Sequence, residues 1–524
     1  VAYRQNFALY CAVVVSIGGF VFGFDASVIS GVVGFVTSEF DLSPIEAGFV
    51  VAAPTASGLL GTVIAGPLSD HFGRRKVLMV IAAIYLLSAI ASALATSYLM
   101  LVGARALGGI AFTSLMLAPL YIGEISPAAV RGKRVSINQL NIVLGLSAAY
   151  FTNYFILQLS ESGLDWVVSW GIADHAWRWM LGLEIVPAGV FFLMLFTLPD
   201  TPRWLMLKGR TADAERVIAR LLPPDQVTAE LAVIRDSSAS EPESVWSRIG
   251  DIFKPSMRLA LVVGLVVAVA QQITGINAIF FYAPTIFEQS GIGTNAAFSQ
   301  AVMVGLTNVI FTVVAMALID RWGRKPLLVL GLSGIIVSMG ICSWGFASAT
   351  YSLTPQKIDS LRATETLDTR ALSAMSQTNY DSDIAFKAAL NEALGERAAR
   401  DHESVLLQSA IQMNPVLILI GILGFVASFA ISLGPVMWVL FSEIFPNQLR
   451  GVAVSFVGLI NSLVSFSVQL VFPVELATLG AAATFFSYGL FALIALGLII
   501  KLLPETKGRS LEALEEIFTT PHNH

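Results

Sequence analysis

Apolar side chains gather into long runs at about 7 to 36, 45 to 69, 77 to 95, 98 to 122, 134 to 158, 177 to 198, 258 to 286, 298 to 319, 327 to 347, 415 to 441, 453 to 475 and 481 to 503. A helix rises about 1.5 Å per residue, so a run of about 20 residues crosses a hydrocarbon core of roughly 30 Å. The pattern therefore predicts twelve membrane helices. The first run is longer than the apolar core of a signal peptide and no A-x-A-like site follows it, so it reads as a mature helix with nothing cleaved. The polar positions between runs carry a bias. Lys and Arg concentrate in alternate connections: HFGRRK (71 to 76), RGKR (131 to 134), the 199 to 257 segment, DRWGRK (320 to 325), Arg450 and KGR (507 to 509). The positive-inside bias places both termini in the cytoplasm of a multi-pass protein of the cell (inner) membrane.

Composition agrees with this and removes other classes. Of 524 residues, 56% are hydrophobic and only 13% charged, a balance outside that of soluble domains. The net charge of -5 is small for this length and argues against a nucleic-acid partner. Cys11 and Cys342 both fall in apolar runs, so no disulfide framework is implied. The chain has no H-E-x-x-H, G-x-S-x-G or G-x-x-x-x-G-K-[ST] phrase, and His71, His175, His402, His522 and His524 are scattered. Neither an enzyme, nor a metal site, nor a cofactor is expected.

Three phrases occur twice: SDHFGRRK and IDRWGRK, EISPAAVRG and EIFPNQLRG, LPDTPRWL and LPETKGRSL. The chain thus reads as a tandem duplication. Its halves are 1 to 200 and 258 to 503, joined by a cytoplasmic linker at 201 to 257 and followed by a cytoplasmic tail at 504 to 524. In the linker, TADAERVIARLL has an amphipathic helical pattern. The second copy is lengthened between its first two phrases by a polar stretch, 349 to 412, which falls on the outer side between helices 9 and 10 and suggests short surface helices. The fold class expected is all-α: six plus six helices in two halves related by a pseudo-twofold axis, the major facilitator layout, with a solute site near mid-membrane.

QQITGINAIFFYAP (271 to 284), GPVMWVLFSEIFPNQLRG (434 to 451), LPDTPRWL (198 to 205), LPETKGRSL (503 to 511) and the two D-x-x-G-R-[RK] loops together resemble the sugar porter family of the major facilitator superfamily. The likeness runs over the whole chain except 349 to 412 and is nearest in pattern to bacterial pentose or hexose/proton symporters, with glucose facilitators more distant. In that register the resemblance implies a sugar-binding set of Gln139, Gln271, Gln272, Asn277, Asn308, Trp438 and Asn461, with Phe22 and Tyr282 as flanking aromatics. The chemistry suits a sugar, because each buried hydroxyl left unpaired costs about 1 to 3 kcal/mol. An intramembrane amide also serves simply to bridge helices, for about 0.6 kcal/mol. Gln271 and Asn277 cannot converge along one regular helix, so a break is expected, with Gly275 to supply it. Where the family usually has an aromatic after the span 11 amide, this chain has Asn461 followed by Ser462, which leaves the pentose or hexose preference open.

The repeated charged phrases read as a cytoplasmic gate. Asp70 with Arg74, Asp320 with Arg324, Glu124 with Arg131 and Glu443 with Arg450 are expected to exchange partners between the halves. The plainer alternative is topological charge solvated by headgroups, since an exposed pair contributes about 0 to 1 kcal/mol.

Asp25 is an acid inside the first apolar run, in FGFDASVIS. Counting from the outer helix ends places it roughly 15 Å deep, Arg105 roughly 12 Å and Glu184 roughly 10 Å. A lone intramembrane charge costs at least about 2.5 to 3.5 kcal/mol, so a partner is expected. Either Asp25 and Arg105 form a permanent helix-holding pair, or protonation of Asp25 releases it, with Glu184 second in the relay. The resemblance implies the latter, because proton-coupled members carry an Asp here and glucose facilitators usually a neutral residue. The sequence thus leads to a monomeric, proton-coupled monosaccharide symporter working by alternating access in a lipid bilayer. An uncoupled facilitator and a non-transporting sugar sensor are the alternatives.

Overall fold

The computed structural model describes residues 2–127, 130–238, 249–364, 369–376, 378–446 and 448–507. The end of the LPETKGRSL phrase, His522, His524 and residues 239 to 248 of the linker lie outside the described residues, as does the side chain of Asp320.

Twelve helices among the described residues are long and apolar enough to cross a membrane. Spans 1 to 6 are Asn6–Gly31, Pro44–Phe72, Arg74–Ala93, Tyr98–Ile125, Arg131–Ser160 and Ala176–Leu195. Spans 7 to 12 are Pro255–Gln289, Thr294–Ile319, Arg324–Ala347, Pro415–Ile444, Arg450–Thr478 and Gly480–Leu502. Several begin earlier than the apolar runs do, because helical backbone continues through charged residues such as Arg74, Arg131 and Arg324.

The irregular points of the spans have chemical causes. In span 6 the helix Ala176–Gly182 gives way to Ile185–Leu195 across Glu184. Pro187 has no N–H for the Leu183 carbonyl, and the Val186 N–H takes it instead at 3.2 Å. Span 7 breaks between Ile273 and Ile276, at Gly275, whose φ of +95° favours a residue without Cβ. A Cβ there would also stand 2.5 Å from the Tyr488 ring. The break expected from the amide spacing is thus present.

Compactness divides the chain into two units. The first comprises Val1–Val28, Ala53–Thr152 and Gly163–Ser247. Its core includes Tyr85, Tyr121 and Phe191, and continues into the linker helices through Trp204, Leu205, Val217 and Leu221. The amphipathic stretch forms the helix Thr211–Leu221, whose apolar face joins that core.

The second unit comprises Ile29–Ala52, Asn153–Ser162 and Arg248–His524. It includes the insertion, which is polar on average yet closes around its own core of Tyr351, Leu353, Phe386, Leu390, Leu406 and Leu407. Short helices surround that core, and a two-residue antiparallel ladder, Thr350–Tyr351 with Ile411–Gln412, ties its ends in a fold otherwise helical among the described residues.

Candidate functional site

In the first unit, Asp25, Arg105 and Glu184 are among the most deeply buried ionisable side chains, at 1%, 2% and 2% exposed. Arg105 Nη1 donates to Asp25 Oδ1 and, at 3.3 Å, to the Asp25 carbonyl. The guanidinium thus grips both the side chain and the backbone of span 1. Depth counting groups these residues, and the structure pairs Arg105 with Asp25 and buries Glu184 in the same unit. Asp25 Oδ2, Arg105 Nε and Glu184 Oε1 are buried without a hydrogen-bond partner. Gly108 leaves room for the carboxylate, since a Cβ there would come within 3.1 Å of Asp25 Oδ2 and 2.5 Å of Ser88 Oγ. Ser88 in turn donates to the Ala104 carbonyl at 2.8 Å, tying span 3 to the turn that carries Arg105. Tyr85, fully buried on the same span, shares a 3.1 Å bond between its hydroxyl and that of Ser114. Neither Ser88 nor Tyr85 stands out in the sequence, where each reads as one more residue of an apolar run.

In the same unit Phe22 packs edge-on against Phe112, with ring centroids 4.6 Å apart, and Gln139 is half-buried on span 5.

The second unit buries amides. Asn461 Nδ2 donates to Gln271 Oε1 at 2.7 Å and to the Ala268 carbonyl at 2.9 Å, while its Oδ1 accepts from Gln272 Nε2 at 3.3 Å. Gln272 Nε2 also donates to Gln271 Oε1 at 3.1 Å, and Gln271 Nε2 to the Leu433 carbonyl at 3.4 Å. Asn277, beyond the Gly275 break, donates to Gln272 Oε1 at 2.8 Å and to Ser465 Oγ at 2.6 Å. Gln469 Nε2 donates to Ser465 Oγ at 2.8 Å, and the Tyr282 hydroxyl donates to the Gln469 carbonyl at 3.0 Å.

Of the sequence-derived amides, the structure therefore joins Gln271, Gln272, Asn277 and Asn461. Asn308, 6% exposed on span 8, is outside this network, and Trp438 is 51% exposed beside Phe441. Ser465 and Gln469 were missed, although Asn461, Ser465 and Gln469 recur every fourth residue, the spacing of one helix face. Glu475 was missed too. It accepts from the Tyr488 hydroxyl at 2.8 Å and so steadies the ring that fills the space over Gly275.

Each unit holds an arginine cluster at the repeated charged phrases. Arg74 pairs with Asp70 at 2.9 Å and with Glu124 at 3.1 Å, and donates to the Ser69 carbonyl at 3.0 Å. Arg324 pairs with Glu443 at 2.7 Å and donates to the Ile319 carbonyl at 3.1 Å. The partners differ from those expected in order along the sequence: Glu124 takes Arg74 while Arg131 is exposed, and Glu443 takes Arg324 while Arg450 donates to the Phe445 carbonyl at 3.3 Å. The third repeated phrase adds a cap. Glu505 accepts the backbone N–H groups of Arg324 at 3.1 Å and Lys325 at 3.0 Å, satisfying donors at the start of span 9. Thr506 donates to Glu443 at 2.7 Å.

A model of the family described as "Sugar (and other) transporter" matches residues 11–360 and 403–518, leaving the middle of the insertion unmatched. The chain is 32% identical to an arabinose-proton symporter of Bacillus subtilis, over 99% of this chain and 96% of the relative. It is 30% identical to the D-xylose-proton symporter of Escherichia coli, over 98% and 96%. An inward-open structure of the Escherichia coli xylose transporter matches at a TM-score of 0.73 and 28% identity, over 97% of this chain and 98% of that one. The fold is the twelve-helix major facilitator fold.

Proposed function

We propose that this chain, which belongs to the family of sugar (and other) transporters, is a proton-coupled monosaccharide symporter working by alternating access. It is a multi-pass membrane protein and not an enzyme. We assign it to a bacterial inner membrane as a monomer, with the insertion outside and both termini in the cytoplasm, a reading supported by the Lys and Arg bias of the opposite connections.

The observation that carries the coupling is the buried Asp25–Arg105 pair. Protonation removes the aspartate's charge and with it most of the attraction to the guanidinium, and span 1 is then free to move relative to span 4. The released Arg105 stays buried, so it needs a counter-charge, and Glu184, buried with an oxygen that has no partner, takes that role. A facilitator needs no such acid, since a permanently neutral residue avoids the cost of burying charge.

Sugar recognition is assigned to Gln271, Gln272, Asn277, Asn308, Trp438 and Asn461, with Phe22, Gln139 and Tyr282. Amides that bond one another in the absence of sugar can trade those bonds for hydroxyls without leaving a buried group unpaired. The Gly275 break lets Ile276–Gln289 tilt during that exchange while Arg258–Ile273 stays in place. The gate role is assigned to Asp70, Arg74, Glu124, Arg131, Asp320, Arg324, Glu443 and Arg450, whose pairs must loosen for the cytoplasmic side to open.

Uptake of a panel of pentoses and hexoses into proteoliposomes, with and without an imposed proton gradient, tests this reading. Accumulation of one or more sugars above equilibrium, dependent on the gradient, is expected. Sugar that only equilibrates would leave a facilitator, and no sugar movement at all would reject transport.

A further inference from the structure

The insertion reaches out of its own core through three charged side chains, and each meets a different corner of the membrane domain. Asp383 Oδ2 accepts the Ala481 N–H at 3.1 Å, at the start of span 12. Lys387 Nζ pairs with Glu403 at 2.7 Å and donates at 3.1 Å to Gln289, the last residue of span 7, whose own amide donates to Glu403 at 3.2 Å. Arg400 Nη1 pairs with Asp41 at 3.1 Å and donates to the Leu42 carbonyl at 3.2 Å, in the turn between spans 1 and 2. These three lie in the stretch that the family model leaves unmatched. The surfaces they bridge also touch each other directly. The turn Ile29–Gly31 at the end of span 1 packs on Ile276–Gln289, and Phe49 of span 2 meets Phe466 of span 11 edge-on with centroids 6.4 Å apart.

Ile276–Gln289 is the part of span 7 beyond the Gly275 break, and it carries Asn277 and Tyr282. A path for sugar past this segment from the insertion side requires it to separate from the span 1–2 turn. We propose that the insertion is an added latch in which Lys387 and Arg400 are positioning residues, holding the end of span 7 and the span 1–2 turn to one rigid body, so that opening on the insertion side must first break their bonds. The latch rests on the transport reading for its consequence and on these contacts for its existence.

The test uses the full chain in proteoliposomes with Ser30→Cys. Ser30 is buried in the turn that packs on span 7, and Cys11 and Cys342 are buried, so the parent protein serves as the blank. Labelling by a membrane-impermeant maleimide from the insertion side reports separation of the turn. A partly exposed ion pair contributes modestly, so Arg400→Ala and Lys387→Met are each expected to label about two- to fivefold faster, the equivalent of about 0.4 to 1 kcal/mol. Arg400→Lys keeps a cation at Asp41 and should label as the unmodified latch does. Asp41→Asn is the second variant, decisive if Arg400→Ala does not fold: Asn tolerates the φ of +50° at this position, so only the charge is removed, and the same acceleration is expected. An unchanged rate in Asp41→Asn, or an equal acceleration in Arg400→Lys, overturns the latch. The assay needs neither sugar nor proton gradient, so its failure and the failure of the transport reading are separate results.

Discussion

The two units bury polar groups in opposite ways. The first buries charge on spans 1, 4 and 6, in a cluster with one strong pair in which Asp25 Oδ2, Arg105 Nε and Glu184 Oε1 each lack a hydrogen-bond partner. The second buries neutral amides on spans 7 and 11, linked to one another in a continuous network in which none of Gln271, Gln272, Asn277, Asn461 or Gln469 has a buried side-chain atom without a partner. An incompletely satisfied ionic cluster is sensitive to one proton, because a single protonation changes a large Coulomb term. A satisfied amide network is indifferent to protons and instead exchanges hydrogen bonds one for one. The difference separates what responds to the driving ion from what recognises the solute.

The hardest test of that separation is Asp25→Asn. The amide keeps the shape and removes the titration, so accumulation driven by a pH gradient is expected to vanish while counterflow of preloaded sugar and sugar binding persist. Undiminished accumulation would falsify the assignment of coupling to this cluster. A second substitution asks whether the pair is a charged one in the energetic sense. Arg105→Leu leaves Asp25 buried without its counter-charge and is expected to cost about 3 to 5 kcal/mol, read as a marked fall in thermal stability in detergent. The double variant Asp25→Asn with Arg105→Leu should recover most of that loss. A double variant as unstable as the single would show that Arg105 matters for packing rather than charge.

The amide side is approached through Asn461→Ala. It leaves Gln271 Oε1, Gln272 Nε2 and the Ala268 carbonyl each short of a bond, and removes a residue assigned to the sugar. Sugar affinity is expected to fall at least about tenfold, the equivalent of about 1.4 kcal/mol. The ratio of protons to sugar should not change. Calorimetric affinity and the steady-state accumulation ratio measure the two separately, and a changed ratio would join the two regions that the comparison keeps apart.

How much of this was readable beforehand follows from where the information lies. Twelve spans were legible because a bilayer demands long apolar helices and charges mark their ends. The Gly275 break was legible because two amides six residues apart cannot share a helix face. The Asp25–Arg105 pair emerged from depth alone, since residues at different levels cannot meet. Partner choice among the gate residues was legible only in part, because sequence order does not show which spans pack together: Arg74 meets Asp70 four residues before it, yet it also takes Glu124 of another span. The core of the insertion was hidden by averaging, because Phe386 and Leu390, one helical turn apart, vanish in a mostly polar composition. Ser88 was illegible for a different reason, since its bond to the Ala104 carbonyl exists only once spans 3 and 4 are packed.

The finest distinction is offered by Ser465, which sequence reading passed over and which joins Asn277 to Gln469. Ser465→Ala removes both bonds but no assigned sugar contact. Interhelical hydrogen bonds in membranes are worth about 0.6 kcal/mol each, because freed groups find other partners. If the network chiefly pre-positions Asn277, affinity should fall about threefold with gradient-driven accumulation at saturating sugar unchanged, since a preorganisation loss is met by more substrate. Affinity indistinguishable from the parent would mean that Asn277 finds its place unaided, and the network would then be reduced to the Gln271, Gln272 and Asn461 cluster on the near side of the break.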